Sequence, residues 1–228
     1  MKRTLTVARM QFVNKTTFIW TPLIILGATF VLSLVIFALI PYDGAKWGGG
    51  SQAPIWYFFA VGIMALSYTF PFSQALSITR REFFFGTLLA ALVTSVLLGA
   101  IFIVGGLLEK ATGGWGINGY FFYLDWVWTS GPLLAGVFFA SVALLLFVTG
   151  FWGSTIYRRF GALGLTVTLV GLGLLLVGAL WLTSRLTTWP EVGAWLAALT
   201  VPALIGWVVV AIAALGAVSF ATLRRATP

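Results

Sequence analysis

Residues 18–40 read FIWTPLIILGATFVLSLVIFALI, a stretch that contains no charged side chain. A helix needs about 20 apolar residues to cross the hydrocarbon core of a bilayer, so this stretch predicts a transmembrane helix. It is longer than the apolar region of a secretory signal, and no small-residue cleavage site follows it. We therefore expect this helix to remain as a membrane anchor.

Five further apolar stretches of similar length follow along the chain. Together with the first, the predicted transmembrane helices cover residues 18–40, 55–76, 83–108, 132–152, 160–183 and 194–221. Pro71 interrupts the second stretch, whose membrane part could end near Phe70. Nothing resembles a separate soluble domain. The sequence thus predicts one all-α domain over residues 1–228, a polytopic membrane protein of six transmembrane helices.

The composition supports a membrane location. Hydrophobic residues make up 61% of the chain and charged residues 8%, whereas a soluble domain carries about a quarter charged residues. There is too little polar surface to cover a water-soluble particle. The net charge of +8 would suggest a nucleic-acid partner in a soluble protein. In a membrane protein the positions of the charges matter more, because they set the orientation, and no nucleic-acid partner is expected.

The basic residues predict which way the helices point, because Lys and Arg in short loops favour the cytoplasmic side. Ten of the 13 lie before the first helix, in alternate loops, or after the last helix. These ten are Lys2, Arg3, Arg9, Lys15, Arg80, Arg81, Arg158, Arg159, Arg224 and Arg225. The other loops hold Lys46, Lys110 and Arg185. Both termini are therefore expected in the cytoplasm.

Two segments outside the predicted spans are patterned. In residues 1–17, Leu5, Ala8 and Phe12 fall on one helical face, which predicts an amphipathic helix lying in the membrane interface; the alternative is a frayed basic tail. Residues 109–131 combine a glycine-rich turn with an aromatic stretch. This stretch either lies on the outer leaflet and gates or binds an amphipathic substrate, or it packs over the helix bundle.

The fifth predicted helix carries small residues at alternating steps of three and four. Membrane helices associate through such faces by close van der Waals contact. We interpret the face as an intramolecular packing surface in preference to a transport pathway. Its glycines are Gly161, Gly164, Gly171 and Gly178. In the sixth predicted helix, Pro202 is expected to introduce a bend.

The chain lacks most side chains that catalysis requires. It has no Cys and no His, which excludes thiolate nucleophiles, Cys/His zinc sites and Ser–His–Asp triads. No G-x-x-x-x-G-K-[ST] phosphate loop occurs. No charged residue lies deep in a predicted span, which counts against a proton-coupled carrier. We therefore expect that the chain is not an enzyme and that it has no catalytic, cofactor-binding or metal-binding residue. The remaining possible functions are a conduit, a subunit of a larger complex or a scaffold.

The most informative local feature is the predicted inner loop SQALSITRREFFFGT, residues 73–87. An amphipathic stretch over residues 72–79 precedes the pair Arg80 and Arg81. It predicts a cytoplasmic helix at the membrane surface that is connected directly to the third span. Such a helix could transmit a movement of a soluble partner to the transmembrane helices. The alternative, which physics alone favours, is an ordinary positively charged loop with snorkelling arginines.

At this loop the chain resembles the permease subunits of bacterial ABC-2-type transporters, in particular small six-span permeases common in actinobacteria. The resemblance rests on the basic lead-in over residues 8–15, on Phe70-Pro-Phe72, and on the motif RREFFFGT at residues 80–87. The six-span plan with both ends inside also agrees. The resemblance therefore covers essentially the whole chain.

The resemblance implies a permease subunit of an ATP-driven exporter in the bacterial cytoplasmic membrane, which moves a lipid, drug or peptide. Two copies of a separate ABC ATPase would bind ATP and Mg, and a second permease chain, giving a homodimer, would complete the unit among membrane lipids. The implied contact with the ATPase, the coupling helix, comprises Ser73, Gln74, Ser77, Thr79, Arg80, Arg81 and Glu82, with a lesser contact at Arg158 and Arg159. The alternative function is a non-transporting membrane scaffold or assembly protein.

Overall fold

The computed structural model describes residues 2–12 and 15–224. Within this part of the chain, five helices are long and apolar enough to cross a membrane. Apart from two short strands, the other regular elements in this part of the chain are helical as well. The prediction of an all-α membrane protein is thereby confirmed at this level. Val13, Asn14 and Arg225, which entered the sequence argument, lie outside the described residues.

The first half of the chain forms one short helix and three long helical segments. They are α1 (Lys2–Gln11), a π-helical turn (Thr16–Trp20) that runs into α2 (Thr21–Leu39), α3 (Gln52–Met64) that runs through a second π-helical turn (Ala65–Thr69) into α4 (Phe70–Ala75), and α5 (Arg80–Ala111). The second half forms α6 (Asp125–Trp128), α7 (Pro132–Arg185), α8 (Trp189–Ala197) and α9 (Val201–Leu223). The short strands β1 (Lys46–Trp47) and β2 (Gly119–Tyr120) pair in parallel.

Helix α7 is interrupted at Gly161, whose backbone has φ 70° and ψ −171°. Glycine reaches this region without the steric penalty that a Cβ would impose. The break divides α7 into a first arm, residues 132–160, and a second arm, residues 162–185. The predicted loop over residues 153–159 is wrong, because these residues continue the first arm and the backbone leaves the helical conformation only at Gly161.

The last predicted span also begins elsewhere. Residues 194–197 belong to the separate helix α8, and α9 starts at Val201 after an extended Thr200. Pro202 therefore lies in the first turn of α9, where its missing N–H has no helical partner to lose. The predicted bend at Pro202 is wrong, because the proline lies in the first turn of the helix.

The first arm of α7 is the centre of the bundle, and glycines allow it to approach two neighbours closely. A Cβ at Gly150 would overlap the backbone carbonyl of Phe59 on α3, and a Cβ at Gly62 would overlap that of Phe147. On the other side, Gly99 of α5 and Gly136 of α7 meet in the same way. These backbone-to-backbone crossings are typical of small residues in membrane helices.

Helix α1 crosses α5 near the start of α5. Val7 and Gln11 are buried there with Ala8, and Val7 packs on Gly86, where a Cβ would meet its side chain. Of the predicted amphipathic face, Ala8 packs against the bundle and Leu5 is half exposed. Gln11 finds its hydrogen-bond partners in the bundle.

Candidate functional site

One end of the bundle, here called the basic end, gathers the arginines that the sequence analysis singled out. It comprises the junction of α4 and α5, the end of the first arm of α7 and the end of α9. The Thr155 and Thr222 hydroxyls are hydrogen-bonded at 2.9 Å, and the Phe84 and Phe220 rings lie 5.3 Å apart. These contacts place the ends of α7 and α9 beside the beginning of α5.

Of the predicted surface helix over residues 72–79, the first half belongs to α4 and a tight turn replaces the second half. Helix α4 ends at Ala75, and Ser77 adopts a left-handed backbone with φ 55°. Its N–H donates to the Gln74 carbonyl at 3.0 Å, and the Ile78 N–H donates to the Ser73 carbonyl at 3.1 Å. This is a Schellman motif, which ends a helix by satisfying its last carbonyls. The connection between α4 and α5 is therefore four residues long, residues 76–79.

The start of α5 follows at once and is capped by side chains. The Thr79 hydroxyl accepts from the Glu82 N–H at 3.2 Å, and the Thr79 N–H donates to Glu82 Oε2 at 3.1 Å. Such a capping box satisfies two donors that a helix N-terminus leaves without partners. The turn between α4 and α5 is consequently fixed at both sides.

The predicted contact residues of this junction face in two directions. Ser73 is fully buried and donates to the Phe70 carbonyl at 2.7 Å, while Gln74 donates to the Ile78 carbonyl at 3.2 Å. Ser77 and Thr79 are exposed. The structure thus assigns the first two to holding the turn and leaves the second two on the surface.

The two neighbouring arginines differ in the same way. Arg80 Nη1 donates to the carbonyls of Leu223 at 3.3 Å and Arg224 at 2.7 Å, so it ties the end of α9 to the start of α5. Arg81 is exposed, with its guanidinium 5.9 Å from the centre of the Phe85 ring. A cation at a helix C-terminus is favourable, which explains why Arg80 points inward.

The second predicted contact shows the same division. Arg158 Nη2 donates to the Ser67 carbonyl at 2.9 Å, in the π-helical turn between α3 and α4. The guanidinium of Arg159 lies 4.6 Å from the centre of the Phe160 ring. Arg158 therefore links α7 to the segment that leads to the α4–α5 turn.

A buried polar contact connects α1 to the same segment. The Gln11 amide is almost fully buried; it donates to the Thr87 hydroxyl at 2.9 Å and accepts from the Thr69 hydroxyl at 3.1 Å. This contact was not predicted from the sequence. The one indication in the sequence was that Gln11 is a polar residue on the apolar side of α1.

The predicted packing glycines of α7 lie outside the bundle core. Gly161 is the helix break, and a Cβ built at Gly164 would meet the side chain of Phe160, at the end of the first arm. In residues 2–12 and 15–224, no heavy atom beyond the local helix backbone lies within 4 Å of a Cβ built at Gly171 or Gly178. The face that these two glycines share is thus open in the single chain.

The opposite end is covered by residues 113–131, here called the aromatic cap. Phe121, Phe122, Val127 and Trp128 are buried, so the segment packs over the bundle, the second of the two alternatives predicted. Burial, followed by a hydrogen bond from its hydroxyl to Asp125 at 3.2 Å, raises the pKa of Tyr123.

Glu109 is the residue that sequence reasoning missed. Its carboxylate is fully buried at the end of α5. Oε1 accepts from the Trp115 indole and the Phe121 N–H, each at 2.9 Å. Oε2 accepts from the Phe122 and Tyr123 N–H groups, each at 2.8 Å. The only sequence signal was an acid between an apolar span and a glycine-rich loop.

Within the described ranges, no three acidic side chains come together in a way that could hold a metal ion. Comparisons of the chain with protein-family models, with curated proteins and with solved structures find no match.

Proposed function

We propose that this chain is the membrane-spanning permease subunit of an ATP-driven ABC exporter in a bacterial cytoplasmic membrane. The observation that carries the proposal is the α4–α5 turn, which is exposed at its tip and fixed to three long helices behind it. The substrate would be hydrophobic or amphipathic: a lipid, a drug or a peptide.

The turn has the mechanical connections that a coupling element needs. The Phe70 and Phe83 rings pack edge to face at 5.2 Å across it. Arg80 connects it to the carboxyl end of α9. A displacement of the turn would therefore move the end of α4, the start of α5 and the end of α9 together. An ordinary charged loop has no need of such connections.

The docking surface for the ATPase would be the exposed tip of this turn. Phe72 and Leu76 are 57% and 55% exposed, and Ser77, Thr79 and Arg81, in or just after the same turn, are exposed as well. An apolar centre with a polar rim is the usual anatomy of a protein interface. Two ATPase copies would bind ATP and Mg, since this chain has no phosphate loop.

The proposed topology has six spans and both termini in the cytoplasm. The two arms of α7 each exceed the roughly 20 residues that a bilayer requires, so the break at Gly161 allows a reversal of direction at the basic end. The arginines of that end then lie on one side, as the preference of basic residues for the cytoplasm requires.

A second copy of the chain would cover the open face of the second arm of α7. Leu163, Leu174 and Leu175 are each more than two thirds exposed there, and Gly171 and Gly178 leave room for a close approach. The same face supports the alternative function, a scaffold that binds other membrane helices without any ATPase.

The proposal is tested by recovering the tagged chain from native membranes and identifying its partners. A soluble ATPase among them supports the permease. Stable complexes with membrane proteins alone would support the scaffold and make the α4–α5 turn an ordinary topological signal.

A further inference from the structure

An apolar cleft of about 660 Å³ separates α2 from α5. Its walls run from Phe18 to Phe30 on one side and from Thr94 to Leu108 on the other. At a rise of 1.5 Å per residue, these walls are about 18 Å and 21 Å long. The cleft is therefore elongated along the direction in which the helices cross the membrane.

The two walls run in the same direction. Gln11, just before α2, is bonded to Thr87 near the start of α5. Phe30, farther along α2, packs on Phe122 of the aromatic cap, and Phe122 also touches Phe102 on α5. The cleft thus extends from the middle of the bundle to the cap.

The lining offers hydrocarbon and almost nothing else. Thr94 has its hydroxyl bonded to the carbonyls of Ala90 and Ala91, each at 3.0 Å. The indole N–H of Trp115 is bonded to Glu109. The other lining side chains are aliphatic or aromatic, apart from Gly105 and Pro22. A polar ligand would lose its hydration without compensation here, whereas a hydrocarbon chain would lose nothing.

Trp115 closes the cleft at the cap end. Its backbone is left-handed, with φ 60°, a conformation that side chains other than glycine rarely adopt. Its ring lies 5.3 Å from that of Phe30 in an edge-to-face contact. Strained backbone at a ligand-facing residue is an indication of function, and here the Glu109 bond holds the ring in place.

We propose that this cleft binds one acyl chain of a phospholipid from the surrounding bilayer. The half-thickness of the hydrocarbon core is about 15 Å, so walls of this length enclose a whole chain. Leu23 and Ala100 are both exposed, which leaves the long side open for lateral entry. The headgroup stays outside, because no charged side chain lines the cleft. This site stands whether or not the chain belongs to a transporter.

The test uses the full chain in vesicles of phosphatidylethanolamine and phosphatidylglycerol, with a small share of a phosphatidylcholine that carries a diazirine in one acyl chain. Illumination, digestion and mass spectrometry map the labelled residues. The expected result is labelling concentrated on Leu23, Ile101 and Val104, above that of Val209 and Val210, which are exposed on α9. Uniform labelling of all lipid-facing residues would overturn the proposal.

Matched variants on both walls fill the cleft or leave it open. Leu23→Trp and Ala100→Trp place a ring inside it, and the expected result is loss of the excess labelling. Ile24→Trp and Val96→Trp add the same ring to exposed positions outside the lining, and the excess should persist. Persistence in both cleft variants contradicts the proposal. If neither cleft variant folds, the wild-type labelling map decides alone.

Discussion

The indole nitrogen of Trp115 donates a hydrogen bond of 2.9 Å to Oε1 of Glu109, a fully buried carboxylate in the last turn of α5. A negative charge at a helix C-terminus is opposed by the helix dipole, so this position is unfavourable by itself. The three successive N–H groups of residues 121–123 compensate for it. The carboxylate thus organises the aromatic cap.

Replacement of this carboxylate by an amide is expected to loosen the cap. In Glu109→Gln, an NH₂ group takes the place of one oxygen, so two of the four donors lose their acceptor. Because a buried donor without a partner costs about 1–3 kcal/mol, two such donors should lower the stability by about 2–6 kcal/mol. The thermal unfolding midpoint in detergent measures it. Glu191→Gln, at an exposed acid, is the control, and equal midpoints would contradict the account.

The crossing of α3 and α7 is expected to tolerate no added methyl group. Gly150→Ala would place a Cβ against the backbone of Phe59, and overpacking typically costs about 1–3 kcal/mol. Backbone cannot move aside as a side chain can, so we expect the upper end of that range. Gly206→Ala adds the same atom where nothing lies within 4 Å. A midpoint lowered equally in both variants would show that the crossing is not tight.

The α4–α5 turn is expected to depend on the left-handed backbone of Ser77. Ser77→Gly should keep or slightly raise the thermal midpoint, because glycine adopts this conformation freely. Ser77→Val should lower the free energy of unfolding by about 1–2 kcal/mol, and with it the thermal midpoint, because a β-branched side chain clashes there. Ser184→Val, in a regular part of α7, is the control. Equal midpoints for the two Ser77 variants would argue against the Schellman turn.

Docking of the ATPase is expected to depend on Arg81 and not on a comparable arginine elsewhere. Arg81→Glu reverses the charge of an exposed side chain at the tip and should prevent copurification without affecting insertion. Arg185→Glu is the matched control, because Arg185 also lies over a ring, that of Trp181 at 5.6 Å, but at the end of the second arm. Unchanged recovery of the ATPase with Arg81→Glu would contradict the assignment.

Replacement of Arg80 should have a different effect. Since this side chain caps α9 through two carbonyls, Arg80→Glu is expected to lower the thermal midpoint as well as the recovery of the partner. The two arginines therefore have different roles: Arg80 stabilises the fold, and Arg81 belongs to the exposed docking surface. A midpoint unchanged by Arg80→Glu would remove this distinction.

Association of two permease chains is expected to use the open face of α7. Gly171→Phe adds a ring where the single chain has open space, so folding should be retained while the dimer is lost. Cross-linking in membranes measures the dimer. Gly27→Phe, at another open glycine on α2, serves as the comparison. A dimer that survives Gly171→Phe would place the interface elsewhere.

The sequence was sufficient for the parts of the fold that depend on hydrophobicity. Long apolar stretches predict helices at residues 16–39, 80–111 and 201–223 to within a few residues, except at the start of the last. The loop between the fourth and fifth spans was predicted at residues 153–159, before the actual break at Gly161. The reason is that basic residues such as Arg158 and Arg159 are typical of cytoplasmic loops. In the structure Arg158 is a partner of a backbone carbonyl within the helix bundle.

Features that depend on contacts between distant residues could not be predicted. The burial of Glu109 requires three N–H groups from 12 to 14 residues away, and the orientation of α1 depends on Gln11 finding Thr69 and Thr87. Neither pairing leaves a periodic pattern in the sequence. The division of the predicted site into inward and outward residues, Arg80 against Arg81, has the same origin.

The most direct test of the permease function is ATP hydrolysis by the chain and its copurified partners in vesicles. The account predicts a soluble ATPase in the complex whose hydrolysis depends on this chain and falls when Arg81 is replaced by Glu. Recovery of the chain with other membrane proteins alone, and with no nucleotide hydrolysis, would contradict it.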